Sequence, residues 1–388
     1  MYGNRTSSRL PALSTAFTQE ANARTQTVSR FRADPGSSLK QYEYKLSMKT
    51  HLFCSLAIGL AATWASAQMP RLDATDAGRI IRHGDGPDRC DISGMREPSI
   101  VQEEGKFYLF YDGCAADGWL ACLASSDDLK TWKMHGRMLS LGPKGSYDSG
   151  TAASPWLIKD GGWWHMFYCA SPNTSPPPEL IPAAPYLTMK ARSKALEGPW
   201  EQQRDIIPFR PVERYGVNAS PGHIVKRGDK WLMFFSGAGL PAIARTKDLN
   251  GAWEIDPKPV FDEHMDLENT SLYHEESNGT WWMFINHIDA AGGYTDAVWT
   301  FWTKDFEKWN AKDRAIVLDR RNCSWSRKCV GMATVTKVGK RLAIFYDAAG
   351  GESVSHMNRD LGLAWLDLPL VPPAPQAVSA ESSRTTKP

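Results

Sequence analysis

One short pattern returns five times along this chain, and a chain built from copies of one unit has few folds open to it. The pattern is an extended run, a polar and mostly Gly-containing turn, then aromatic-x-apolar-Phe-aromatic. It stands as EPSIVQEEGKFYLFYDG from Glu97 and SPWLIKDGGWWHMFYCA from Ser154. It returns as SPGHIVKRGDKWLMFFSG from Ser220, TSLYHEESNGTWWMFINH from Thr270 and TVTKVGKRLAIFYDA from Thr334. Each copy reads as a β-hairpin of β-branched and aromatic residues. A second pattern follows each: SSDDLKTW from Ser125, ARSKALEGPW from Ala191, ARTKDLNGAW from Ala244, FWTKDFEKW from Phe301 and HMNRDLGLAW from His356. It ends a third strand, turns, and starts a fourth with Trp132, Trp200, Trp253, Trp309 and Trp365. Asp127, Asp248 and Asp305 fit those turns as side-chain acceptors.

Four strands recurring at intervals of about 50–65 residues predict propeller blades. The fold expected is all-β, a five-bladed β-propeller of four-stranded antiparallel blades. A β-sandwich with accidental similarity is the alternative, disfavoured because two linked patterns keep their order through five copies. The repeat also explains why tryptophan, at 16 residues, outnumbers Phe at 14 and Tyr at 12. Five Trp close blades, and Trp163, Trp164, Trp231, Trp281 and Trp282 lie in second strands. Trp119, Trp156, Trp299, Trp302 and Trp325 remain as candidate stacking surfaces for a ligand.

The propeller is expected over 68–370. Residues 48–67 read as a signal peptide, with an apolar run Leu52–Trp64 and an Ala65-Ser66-Ala67 cleavage site. Residues 1–47 are a disordered or mis-assigned upstream segment, and 371–388 are a disordered tail rich in Pro, Ala and Ser. The expected location is secreted or periplasmic, with no membrane contact after cleavage. Lys+Arg at 45 against Asp+Glu at 43 give no basic excess for a nucleic-acid partner. Cys90, Cys114, Cys122, Cys169, Cys323 and Cys329 remain after cleavage. Their even number in an oxidising compartment favours disulfides, with Cys114–Cys122 and Cys323–Cys329 close enough in sequence to staple loops. No C-x-x-C pair supports zinc.

In a propeller the loops entering each blade's first strand share a face with the loops between second and third strands. Ligands bind there. The first-strand approaches end at Glu97, Ser154, Ser220, Ser271 and Ala333. The other loops start at Asp112, Cys169, Ser236, Asn286 and Asp347. These segments carry Asp91, Glu97, Asp112, Asp148, Asp266, Glu268 and Asp347, with Arg96, Asn218, His223 and His287 beside them. His356 is expected further from the mouth. Carboxylates converging from different blades on an aromatic-lined hollow suit glycoside chemistry, where one acid protonates the leaving oxygen and one carboxylate activates water or attacks. The insertion Pro172–Pro185 lies on the same face and reads as a specificity lid or a tolerated surface insertion.

The run Arg96-Glu97-Pro98-Ser99-Ile100, followed by Gly105-Lys106-Phe107-Tyr108-Leu109, resembles the first-blade motif of five-bladed glycoside hydrolases of the family 43 type, with relatives in families 32, 62, 68, 117 and 130. The Ser125–Trp132 motif and the Asp148-Ser149 pair are similar to theirs, and the resemblance covers about Asp91 to Leu370. It implies Glu97 as base or nucleophile, Asp148 as the residue that tunes and orients the acid, and Glu268 as the acid. Arg96, Asp91, Asp112, Asn218, His223, Asp266, His287 and Asp347 would bind substrate. Two positions depart from the pattern: Glu97 stands where most relatives have Asp, and Asn218 stands where many place the acid. The resemblance allows a structural calcium, but no residue pattern here requires one, so no cofactor is expected. The partner expected is a carbohydrate, and the protein is expected to be a monomer. Two other functions fit the same fold: a glycoside phosphorylase, and a non-catalytic glycan-binding propeller. A sialidase fits less well, since it calls for six blades and an arginine triad.

Overall fold

The computed structural model describes residues 69–216, 218–289 and 294–374. The segments read as upstream sequence and signal peptide, and residues 375–388 of the expected tail, lie outside the described residues.

The strands form four-stranded antiparallel meanders in chain order. The first comprises Gly94–Glu103, Lys106–Ala115, Gly118–Ser126 and Lys133–Arg137. The second comprises Thr151–Asp160, Trp163–Ser171, Leu187–Ser193 and Glu201–Gln202. A parallel bridge, Trp119 to Thr151 and Leu120 to Ala152, joins these two into one eight-stranded sheet. The third comprises Ile224–Arg227, Lys230–Gly237, Leu240–Thr246 and Glu254–Ile255. The fourth comprises Leu267–Glu275, Thr280–Asp289, Tyr294–Thr303 and Arg314–Leu318. The fifth takes Val330–Val338, Arg341–Ala349 and Arg359–Asp367 from the C-terminal region and its outer strand, Thr75–Ile81, from the N-terminal region. Tight turns join first and second strands. Glu104 and Gly105 both have positive φ, as do Gly161 and Gly162, which matches the twist of the flanking strands.

Each meander buries both faces, so its middle strands are mostly apolar; Gly118–Ser126 is buried along its whole length. Apolar clusters fill the space between neighbours. Phe110, Leu123, Met166 and Tyr168 pack the first against the second, and Phe167, Phe209, Met233 and Phe235 the second against the third. Phe234, Met283, Ile285 and Phe301 join third and fourth, and Phe284, Val298, Leu342 and Ile344 join fourth and fifth. Leu109, Tyr111, Phe345 and Leu361 join the fifth to the first.

The first strands carry a shared irregularity. The ladder slips between Arg96 and Ser99, Ala153 and Trp156, Glu268 and Ser271, and Gly331 and Thr334. Inside each slip one residue takes positive φ: Glu97 (50°), Ser154 (51°), Asn269 (57°) and Met332 (52°). An L residue there is strained, and something must hold it. At three of the four the holder is a second-strand side chain of the preceding meander. Asp112 accepts the Ser154 N–H, Ser236 Oγ accepts the Asn269 N–H at 2.9 Å, and Asp347 Oδ2 accepts the Glu97 N–H at 2.9 Å.

Three expectations are corrected. The fourth and fifth first-strand positions equivalent to Glu97 are Asn269 and Met332, not Ser271 and Ala333, because the bulge displaces the alignment, by two residues in the fourth and one in the fifth. Trp365 does not start a fourth strand; it lies in the third, opposite Thr75, because the fourth comes from the N-terminal region. Neither Cys114–Cys122 nor Cys323–Cys329 is a disulfide, and all six described cysteines are free and buried. Each thiol is engaged elsewhere. Cys114 Sγ faces the Glu179 carbonyl, Cys122 hydrogen-bonds with Cys90, Cys323 contacts the Tyr346 hydroxyl, and Cys329 donates to Asp296.

Candidate active site

A pocket of about 290 Å³ opens where the bulged first strands converge. The first meander gives it Arg96, Glu97, Asp112 and Trp119; the second gives Ser154 and Cys169. Asn218 and Ser220 come from the approach to the third, Glu268, Asn269 and Ile288 from the fourth, and His356 from the fifth. The insertion of the second meander forms one wall with Ile181 and Pro182, and Tyr186 follows it. It is a small ribbon, Asn173–Thr174 paired with Pro182–Ala183, anchored where Trp119 Nε1 donates to the Glu179 carbonyl at 2.9 Å.

Of the sequence-predicted residues, Arg96, Glu97, Asp112, Asn218 and Glu268 meet in this pocket. Arg96 is buried with its guanidinium over Trp119 at 5.9 Å and one nitrogen 3.8 Å from the Glu97 carboxylate. Burial, then the Glu97 charge, push the Asp112 carboxyl well above its ordinary range. The Glu268 carboxyl is pushed up to about 7 by burial, then by the negative charges of Glu97 and Asp296, while Arg96 and a hydrogen bond from Asn286 pull the other way. Asn218 Oδ1 accepts the Ser220 N–H at 2.9 Å and so shapes its own loop.

His356 also lines the pocket, closer than the sequence implied, because the residues before Arg359 form a loop at the mouth rather than a strand. The Arg96 charge, then burial, lower its imidazole to about 3, so it faces the pocket neutral.

The other predicted residues stand elsewhere. Asp148 is fully buried, but Arg204 Nε claims it at 2.7 Å, with Ser146 Oγ at 2.8 Å, and it is absent from the pocket lining. Asp91 accepts the Gly84 and Gly86 N–H groups and the Tyr111 hydroxyl, which organise its own loop. His223 packs edge-on against Trp156 and is lowered to about 4 by burial. Asp266 and His287 border a shallower neighbouring hollow, where His287 stacks on Trp299 at 3.6 Å and contacts the Tyr294 hydroxyl. Asp347 lies beneath the pocket in its clasp to Glu97. Of the candidate stacking tryptophans, Trp119 alone is in the described pocket lining.

Below the floor runs a buried network that sequence reasoning missed. Asn286 Nδ2 donates to Glu268 Oε1 at 3.3 Å and to Asp296 Oδ1 at 2.9 Å. The wholly buried Arg359 guanidinium bridges Asp296 at 2.9 Å and Asp347 at 2.8 Å. Trp119, Asp296 and Arg359 are equivalent positions, each two residues before the partner of Asp112, Asn286 and Asp347 on the adjacent strand. That register is a signal the sequence carried. A structural calcium finds no home in these groups. Calcium takes six to eight oxygens, whereas the buried pair Asp296 and Asp347 is already bridged by the Arg359 guanidinium. Among the described residues no cluster of three or more His, Cys, Asp or Glu is arranged for a metal.

No protein-family model matches the chain, and no curated protein matches it in sequence. Solved structures do match. The catalytic domain of the Coprinopsis cinerea GH62 α-L-arabinofuranosidase is 13% identical over 76% of this chain and 98% of its own, with a TM-score of 0.58. The Podospora anserina α-L-arabinofuranosidase, in complex with cellotriose, is 13% identical over 77% of this chain and 98% of its own, with a TM-score of 0.55. The Cellvibrio cellulosa α-L-arabinanase is 14% identical over 69% of this chain and 90% of its own, with a TM-score of 0.52. The resemblance read from the first-blade motif thus meets the same group of glycoside hydrolases in three dimensions. At these identities the likeness establishes the fold.

Proposed function

We propose that this chain is an exported glycoside hydrolase on a five-bladed β-propeller, with Glu268 as general acid and Glu97 as base or nucleophile. The observation that carries the reading is the pair itself. Two carboxyls from different meanders face one pocket, and the charge of one helps keep the proton on the other. Environments that set two carboxyls apart in this way assign their roles. The five meanders and the apolar packing of each on the next support the blade count. Trp119 and Tyr186 give the pocket aromatic surface for a sugar ring. The solved neighbours include arabinofuranosidases and an arabinanase, so α-L-arabinofuranosyl linkages are the first substrates to try. Asp148 has no part in this pair because Arg204 holds it.

The test is a screen of aryl furanosides and pyranosides, with and without phosphate. We expect turnover that does not need phosphate and that falls as pH rises through about 7, as Glu268 loses its proton. Glu97→Gln and Glu268→Gln should each lower kcat/KM on the order of 10²–10⁴-fold. Activity that survives both substitutions sinks the assignment. Phosphate-dependent turnover, or glycan binding without turnover, moves the reading to a phosphorylase or a binding propeller. Export is checked separately by whether the mature chain begins at Gln68.

A further inference from the structure

Glu268 does not hold its own orientation. It sits one residue before a strained, positive-φ position, Asn269, and its carboxyl hydrogen-bonds to the Asn286 amide. That amide directs its NH2 group at two carboxylates, Glu268 and Asp296. Its own Oδ1 is buried without a hydrogen-bond partner. A buried orphan acceptor is costly, yet turning the amide over would set that oxygen against the Asp296 carboxylate and withdraw the donor from Glu268. The two acids therefore dictate the amide's direction, and the amide in turn fixes theirs. Asp296 is anchored from its other side: Oδ2 accepts from Arg359 at 2.9 Å and from the Cys329 thiol at 3.0 Å. Burial opposes its charge, but Arg359 and the hydrogen bonds from Cys329 and Asn286 outweigh burial and hold it below the ordinary carboxylate range.

We infer that Asn286 and the anchored Asp296 carboxylate are positioning residues for Glu268, holding its carboxyl oriented and ready to donate. The inference rests on the reading of Glu268 as the acid. The charged groups facing Glu268 are Glu97 and Arg96 from the first meander and Asp296 from its own. Asp296 favours the proton on Glu268, and the Asn286 donor favours its loss. Removing each should therefore move Glu268 in opposite directions, which a loss of packing cannot do.

The experiment is a carbon-13 NMR titration of the full chain labelled at the glutamate carboxyl carbons. Glu268→Gln identifies the resonance. In the parent protein it should titrate near 7. Asp296→Asn keeps the shape and most hydrogen bonds but removes the charge, and should lower the midpoint by about one pH unit. Asn286→Ala should raise it by roughly half a unit. Midpoints that stay in place in both variants, or that fall in both, overturn the inference. The titration needs no turnover. Opposite shifts in a protein that cleaves no glycoside would leave this arrangement standing and count against the hydrolase reading instead.

Discussion

Glu268 shows how a side chain can weaken a fold in order to serve a site. Its folded value of about 7 lies above the ordinary 4.5, so the folded chain keeps a proton that the unfolded chain releases. Stability contributed by that proton is complete below about 4.5 and is lost as pH rises through about 7. Glu268→Gln removes the penalty while keeping an acceptor for Asn286. We expect the variant to resist urea better than the parent at pH 8, by about 1–3 kcal/mol, with the difference vanishing near pH 4.5. Equal stability at both pH values would mean the carboxyl is not held protonated. Glu97, Glu268, Arg96, Asp112 and Asn218 were legible in the sequence because loops leading into first strands converge whatever the side chains are. Asp148 stands outside that pocket lining, and the sequence did not show this. Its Asp-Ser context suits a site, but a partner 56 residues away, Arg204, had already claimed it, and sequence spacing does not reveal such a pairing.

The clasps are the feature peculiar to the elements. At Glu97, Ser154 and Asn269 the bulge leaves a backbone N–H that a side chain of the neighbouring meander satisfies. Ser236 is the informative case, because it lies outside the pocket lining yet receives the N–H of Asn269, beside Glu268. Ser236→Ala leaves that N–H buried and unpaired. It should cost roughly 1–3 kcal/mol in urea unfolding and lower kcat more than it raises KM, since Glu268 loses its platform. A stable variant with unchanged kcat would show that the bulge holds itself. The bulges also explain what the repeats could not reveal. The hairpin pattern found every second strand, but the second-strand aromatics do not say where a first strand takes its one extra residue, so the fourth copy was aligned two residues late and the fifth one residue late. Asp296 and Arg359 escaped notice because each sits at the start of a third strand that continues into a largely apolar run and reads as core.

At the scale of the whole molecule, the fivefold repetition made the architecture legible, while the joining of its ends was not. The fifth meander has only three strands of its own, so its edge is completed by Thr75–Ile81, nearly 300 residues away in sequence. Asp76 ties that strand down. It accepts from the Tyr346 hydroxyl at 2.6 Å, from the Ser324 N–H at 2.7 Å and from the Ser324 Oγ at 2.6 Å. Arg79 adds an ion pair to Asp360 at 2.6 Å, and Arg71 one to Asp319 at 2.9 Å. None of these is an apolar contact that hydropathy could have flagged. Each joins the N-terminal segment to the fourth or fifth meander, so together they resist opening between the ends. Asp76→Ala frees a buried Tyr346 hydroxyl and should lower stability by about 1–3 kcal/mol. Arg79→Ala removes a partly exposed guanidinium from the buried Asp360 carboxylate, which keeps its contacts to His83, and should lower it by about 1 kcal/mol. If closure limits unfolding, Asp76→Ala should speed it, whereas a buried change far from the joint, such as Lys190→Met, should leave the exchange of Thr75–Ile81 amides untouched. Hydrogen exchange of the Thr75–Ile81 amides is the direct reading: the variant should lose their protection first, while the Lys106–Ala115 strand keeps its own. Simultaneous loss of protection in both strands would mean that the meanders open together and that the N-terminal strand is no latch.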